Sequence, residues 1–321
     1  MQICVLTDSE LKEFDPSQYL ENYSWDIFIP QKPVVDFVRT LADEGEYEVY
    51  FNLCDGADNP QEYDGIDIVC ALEELHLPFT GANSRFYDPS REEMQSVAEA
   101  NGIRFARGVH ISKIDELEAV ESLIYPLIVK HPQSFASTAM TRNSRVDVTQ
   151  KLREQVKRIC NRFGSARVEE FIKGPEFTVL VVDNPDDLEC PFVYPPAELI
   201  FPPGEDFLHS RVKWKEWVYL KPVEDKALSL RLMEMTRDMY LAMDGVGYAR
   251  CDIRMRADGQ LYMIEINPNC GFLFKPEDLG PADVMMEYDP DGHAGFLDRI
   301  FRAAIIRNTA GMPTANFNRG E

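Results

Sequence analysis

The sequence predicts a mixed α/β (α+β) protein made of three consecutive units, and three observations predict it. Residues 1 to 85 alternate short apolar strands with helical segments, the pattern of a small parallel sheet. A buried strand, Leu127–Lys130, then stands between two amphipathic helical segments. Near the C-terminus two apolar strands flank an Asp-Gly pair, the signal of an antiparallel hairpin.

The elements follow in order. Ile3–Leu6 is a short apolar strand. Pro33–Leu41 has helical spacing, with Val34, Val35, Phe37, Val38 and Leu41 apolar. Tyr47–Leu53 reads as a strand running into Asp55-Gly56, Ile66–Leu75 as a helix, and Pro78–Gly81 as a short strand and turn. Pro89–Ala100 is an amphipathic helix stopped by Asn101-Gly102. After Leu127–Lys130 comes a small, polar loop from His131 to Thr141. Lys151–Phe163 reads as a helix, and Arg167–Ile172 as a strand closed by Lys173-Gly174-Pro175. Phe177–Val182 is a strand, Pro185 to Pro203 is loop-rich, and Ala227–Met243 is a long helix. Strands Gly247–Arg254 and Leu261–Asn267 and a helix Ala294–Arg307 complete the pattern. The expected division is residues 1–85, 86–175 and 176–308, with a flexible tail at 309–321.

Composition narrows the function. A net charge of -22 offers no broad positive field for nucleic acid or anionic membrane, although local cations in a cleft can still bind a nucleotide. Cys4, Cys54, Cys70, Cys160, Cys190, Cys251 and Cys270 are scattered and include no CxxC pair, which argues against a disulfide framework and a structural zinc site. No basic-then-apolar leader stands at Met1, and no apolar run approaches the roughly 20 residues of a membrane span. A cytoplasmic protein is expected. The sequence contains no GxGxxG, GxxxxGK[ST] or GxSxG motif.

The most informative segment is Tyr248 to Asn267. With Asp258 and Gly259 as a two-residue turn, Asp252 falls directly opposite Glu265 and Arg250 opposite Asn267. Alternation along the strands points these four polar groups to one face, while Ala249, Cys251, Ile253, Ile264 and Ile266 form the apolar face. Directly opposed carboxylates repel, so something must offset them. A divalent cation does so most simply, because magnesium takes one or two carboxylates plus phosphate oxygens. The alternative is a solvated outer face balanced by Arg250 and Arg254.

The run GYARCDIRMRADGQLYMIEINPNCGF resembles the metal-binding end of ATP-grasp enzymes, and within them the D-alanine–D-alanine ligases. FNLCDG, LHLPFTGANS, YPLIVKHPQSFAST and VEEFIKGPEFTVLVV resemble further stretches of those ligases, in the same order. The resemblance implies an ATP-grasp fold, with an N-terminal α/β domain plus central and C-terminal domains clasping ATP. It implies that Lys130 and Arg91 contact phosphates, Arg91 standing where the family usually has lysine. Glu169, Glu170, Phe171 and Ile172 would hold adenine, and Glu176 the ribose. Asp252, Glu265 and Asn267 would hold two magnesium ions, or manganese. Arg250 and the Gly271 N–H would stabilise an oxyanion, and Ser137 in the small loop would reach the phosphates. A homodimer is implied by analogy.

The amino-acid end departs from that pattern. The turn Leu6-Thr7-Asp8-Ser9-Glu10 lacks the family's glycines, which leaves Asp8 or Glu10 to hold an ammonium. Lys275 stands near the family's acceptor serine, and Lys213-Trp214 where a Lys-Tyr pair is usual. The expectation is therefore an ADP-forming ligase joining an amino-acid-type carboxylate to an amine, acting on substrates other than two D-alanines. D-alanine–D-alanine ligase proper and a non-catalytic nucleotide-binding protein are the alternatives.

Overall fold

The computed structural model describes residues 1–8, 16–54, 63–132, 138–210, 212 and 218–310. The expectations for Glu10, Ser137, Lys213, Trp214 and the tail beyond residue 310 lie outside the described residues.

The chain opens with β1 (Gln2–Thr7), β2 (Ser24–Phe28), α1 (Val34–Glu44), β3 (Val49–Leu53) and α2 (Gly65–Glu74). The three strands form a parallel sheet in the order β2-β1-β3. β1 is apolar at successive positions because it is covered on both faces. Cys4 and Leu6 pack with Val38 and Leu41 of α1 and Ile68 and Leu72 of α2. Ile3 and Val5 face the other way, into a core shared with Leu180, Val182 and Phe296 from the far end of the chain. The segment Pro78–Gly81, expected as a strand, contributes a single bridge from Phe79 to Tyr50.

Next come α3 (Arg91–Ala100), β4 (Gly108–Ile111), β5 (Leu127–Lys130), β6 (Arg145–Val146), α4 (Thr149–Phe163) and β7 (Ala166–Glu170). Ser90 caps α3 by accepting the Glu93 N–H at 3.1 Å. The strands make an antiparallel sheet in the order β4-β7-β5-β6. One face, with Leu127, Val129 and Val168, packs on Leu152, Val156 and Ile159 of α4. The other carries Lys130, Arg167 and Glu169, all buried.

The third sheet contains β8 (Glu176–Val182), β9 (Phe192–Val193), β10 (Ala197–Ile200), β11 (Tyr219–Pro222), β12 (Tyr248–Met255) and β13 (Leu261–Pro268). Its order is β11-β10-β8-β12-β13, with β9 pairing β8. The stretch expected as loop-rich thus supplies β9 and β10, whose pairing comes from β8. Phe177, Val179, Cys251 and Met263 face α3 and α5 (Lys226–Ala242). Leu180, Val182 and Tyr248 face α6 (Pro281–Glu287) and α7 (Gly292–Thr309). Among the described residues no helix is long and apolar enough to cross a membrane.

The first and third sheets approach closely at paired glycines. Gly247 has φ 81°, and a Cβ built there would stand 2.3 Å from the Gly81 carbonyl oxygen. Gly247→Ala therefore combines a clash with a left-handed backbone. It should cost about 2 kcal/mol or more, seen as a lower urea midpoint at unchanged slope.

Candidate active site

The hairpin places its polar side chains as the alternation predicts, by a different route. β12 and β13 pair Asp252 with Glu265 and Arg250 with Asn267. The connecting loop is not the expected two-residue turn. Gly259, at φ 79°, donates its N–H to the Arg256 carbonyl (2.8 Å), and Arg256 donates to Gln260 (2.9 Å), so three residues form the tip. That slips the register by one, to Ile253 with Met263, and a bulge between Asp252 and Ile253 restores it. The extra residue is Ile264. It leaves the apolar face, where Met263 takes its place, and its carbonyl accepts from Arg91 Nη1 at 3.1 Å.

Around the two carboxylates the structure assembles compensating donors. Arg250 donates twice to Asp252, both at 3.0 Å. Thr178, opposite Asp252 on β8, donates its hydroxyl at 2.8 Å, and Asn267 its amide N–H at 3.2 Å. Burial pushes the Asp252 carboxyl up, but Arg250 and the hydrogen bonds with Thr178 and Glu265 outweigh it and hold it below its ordinary value. Glu265 is ion-paired with Arg91. Arg250 itself is held above its ordinary value, burial being outweighed by Asp252.

Arg91 opens α3 and is buried, 5 % exposed, so it is not a solvated helix-face residue. Lys130 is also buried, its Nζ 2.6 Å from Glu169. Burial, then the Arg91 charge, lowers the Lys130 ammonium, against the pull of Glu169. Glu169 is the hub, lying 3.8 Å from Arg91 and accepting from Arg167 Nε at 3.2 Å. Burial raises its carboxyl, yet Lys130, Arg91 and Arg167 bring it down to about 2. Gly108 makes room for this cluster, since a Cβ there would stand 2.6 Å from Glu169 Cγ.

The segment between β7 and β8 is fixed by Arg254. Its Nε donates to Glu176 (2.9 Å) and its Nη1 to the Ile172 carbonyl (2.8 Å), and its guanidinium lies 4.5 Å from the Phe171 ring centroid. Phe171 packs with Ile128, Met140 and Phe207 in a small apolar cluster. Burial raises the Glu176 carboxyl more than Arg254 lowers it. Glu170 is directed elsewhere and accepts the Ile124 N–H at 3.0 Å.

Gly271 follows β13 in a turn pinned at both ends. Asn269, at φ 49°, accepts the Ala82 N–H at 2.8 Å. Leu273, at φ 63°, donates its N–H to buried Asp283 at 2.7 Å. Burial pushes the Cys270 thiol up to about 12, which suits a packing residue. Asp8 accepts the Tyr63 hydroxyl at 2.5 Å and lines a cavity of about 390 Å³ with Thr7, Phe28 and Phe37. Lys275 is exposed, its carbonyl accepting the Asp278 N–H at 2.8 Å. The structure thus brings Arg91, Lys130 and Glu169 to the hairpin carboxylates and leaves Asp8 and Lys275 outside that cluster. Arg167 and Thr178 join the site without being expected from the sequence, and Arg254, expected only as a balancing charge, orients Glu176. Strand alternation marked Arg254 and Thr178, whereas Arg167 needed the pairing of β5 with β7.

A family model described as D-ala D-ala ligase C-terminus matches residues 98–274, more than half of the chain. The chain belongs to this family. It is similar to the D-alanine–D-alanine ligase of Mannheimia succiniciproducens, 25% identical over 263 residues, covering 78% of this chain and 80% of that one. A second relative, the D-alanine–D-alanine ligase of a Marinomonas species, is 29% identical over 209 residues, 61% of each chain. Among solved structures, the D-alanine–D-alanine ligase from Bacillus anthracis superposes with a TM-score of 0.71 at 16% identity, covering 97% of this chain and 99% of that one. The same enzyme complexed with ATP gives 0.69 at 17% identity, with the same coverage. The fold is the ATP-grasp fold, and the protein is an ATP-dependent, ADP-forming carbon–nitrogen ligase, which removes the non-catalytic alternative. The expectation of substrates other than two D-alanines is corrected. The relatives are D-alanine–D-alanine ligases, and the altered loops do not take the chain out of their family.

Glu169→Gln tests the hub, since it leaves Lys130, Arg91 and Arg167 buried against a neutral partner. It should cost about 3 kcal/mol at neutral pH. Because the Glu169 carboxyl is lowered from 4.5 to about 2, its stabilisation is present above 4.5 and lost as pH falls toward 2. Urea midpoints across that window should fall more steeply for the wild type than for the variant.

Proposed function

We propose that the protein is a D-alanine–D-alanine ligase, joining two D-alanines with hydrolysis of ATP to ADP. One observation carries the reading. The opposed carboxylates Asp252 and Glu265 share a face with Asn267, and buried Arg91 and Lys130 reach the same place in a chain of this family.

The donor set fits magnesium. Asp252 and Glu265 supply two hard carboxylates, and Asn267, which directs its N–H to Asp252, offers its amide oxygen. Among the described residues no group of three or more His, Cys, Asp or Glu side chains is arranged to hold a metal, so the remaining ligands would be phosphate oxygens and water. A divalent cation bound there would neutralise phosphate oxygens.

The chain's own residues do the rest. Lys130 and Arg91 share the phosphate charge, and Glu169 keeps both in place. The backbone of Glu170 to Ile172 and the apolar cluster around Phe171 take the adenine, and Glu176, oriented by Arg254, takes the ribose hydroxyls. The carboxylate of the first D-alanine attacks the γ-phosphorus to give an acyl-phosphate and ADP. The amine of the second attacks that carbonyl, phosphate leaves, and an amide remains. Arg250 commits its Nε and Nη2 to Asp252 and keeps further N–H donors, which with the Gly271 N–H meet the oxyanion. Asp8, directly after β1, is the group for the first ammonium. A cytoplasmic homodimer, with residues 1–85, 86–175 and 176–308 as its three units, completes the proposal.

A coupled ADP-release assay with magnesium and D-alanine, with chromatography of the product, tests it. D-alanyl-D-alanine should appear, and Asp252→Asn should lower kcat at least about a hundredfold. ADP release that ignores D-alanine but responds to a different amine and acid would sink the reading.

A further inference from the structure

We propose that Asp283 and His293 form a positioning couple for the Gly271 N–H, and that stacking of His293 on Tyr19 ties this donor to the N-terminal unit. The inference rests on the proposed function, in which that N–H meets the oxyanion, and adds to it the residues that aim the donor.

The turn after β13 needs support from outside itself. Asn269 and Leu273 both take left-handed backbone, which residues with a side chain keep only where their surroundings hold them. Phe272, between Gly271 and Leu273, is buried against the rings of Phe296 (4.9 Å) and Tyr248 (5.1 Å). Leu273 is buried as well, and its N–H finds its partner in Asp283.

Asp283 gathers the polar groups of this turn. It stands in the first turn of α6 and is fully buried. Its Oδ1 accepts the Leu273 N–H at 2.7 Å and lies 2.9 Å from His293 Nε2. An ionised carboxylate only accepts, so Nε2 carries the proton of that bond. Its Oδ2 accepts the Gly280 N–H at 3.1 Å. Amides from both ends of the segment 273–280 thus converge on one carboxylate. Gly280 permits this closure, since a Cβ there would stand 2.7 Å from the Phe274 ring and 3.3 Å from Asp283 Oδ2.

A carboxylate free to turn would drop the Leu273 N–H. His293, the second residue of α7, holds the same oxygen that Leu273 uses. The imidazole is held in turn by Tyr19, with ring centroids 4.6 Å apart and planes 24° from parallel. Tyr19 ends a short helical turn, Ser17–Tyr19, and Leu20 directly after it is fully buried in the core that holds Phe296 and Phe301. Contacts therefore run from Tyr19 through His293 and Asp283 to Leu273, two residues from Gly271. The donor is aimed from the unit that also carries Asp8.

Two rates separate aiming from folding. Formation of D-alanyl-D-alanine needs both chemical steps. With D-alanine present, migration of a heavy oxygen isotope from the β–γ bridge of ATP to a non-bridging β position needs only the reversible first step. His293→Leu should lower kcat for the dipeptide at least about tenfold, because a small misplacement of a catalytic group is costly. Its KM for ATP should stay within about twofold, and isotope migration should persist. His293→Gln should recover most of the loss, because its amide nitrogen stands as many bonds from Cβ as Nε2 does and donates to Asp283.

If His293→Leu does not fold, Tyr19→Ala should show the same split, since it removes the stack and leaves the bond from His293 to Asp283. An unchanged kcat, a parallel fall in both rates, or a glutamine variant no better than leucine overturns the inference and leaves the proposed function standing. A wild type that makes no D-alanyl-D-alanine removes the proposed function and the inference with it.

Discussion

Asp252 and Glu265 face each other across β12 and β13, and much of the surrounding structure exists to make that tolerable. Two like charges on directly opposed strand positions destabilise a hairpin, and burying them raises the cost further. The chain answers with two guanidiniums, a hydroxyl and an amide, each from a different position. Arg250 comes from the same strand, two residues away. Thr178 comes from the neighbouring strand, Asn267 from the strand opposite, and Arg91 from a helix start. None of these groups is interchangeable, because each is delivered by a separate element.

The central sheet supplies the other half of the arrangement. Glu169 is a buried acid holding Lys130, Arg91 and Arg167 at once, so one group positions three buried cations, two of them the proposed phosphate contacts. Arg254 plays the same part between β7 and β8, tying Glu176, the Ile172 carbonyl and the Phe171 ring together. Cations placed in advance in this way lose little entropy when an anionic ligand arrives, which is the advantage of preorganisation.

The residues expected at the nucleotide end lie on strands and at the start of a helix, where residue type and spacing report geometry. Of the residues expected at the amino-acid end, Asp8 and Lys275 lie in connections outside strands and helices, where a small substrate can be held by different side chains from different places. Departures at Asp8, Lys213-Trp214 and Lys275 therefore looked like a change of substrate, while the relatives are D-alanine–D-alanine ligases. Loop identities without loop geometry do not define a pocket.

By itself the sequence determined the alternation of polar and apolar residues along β12 and β13, and hence that Asp252, Glu265, Arg250 and Asn267 share a face, since the side-chain period of a strand is fixed. It also determined that Lys130 ends a buried strand. It did not determine the hairpin's true path: a three-residue tip and a bulge at Ile264 cancel, so the expected pairing arose from a turn that is not there. Nor did it reveal that Arg91 is buried against Glu265, that Arg167 joins the cluster, or that β9 and β10 extend the large sheet. Those features depend on which strands pair and which helix is laid against them. Contacts between positions far apart in the chain leave no local period to read, so only the tertiary structure decided them.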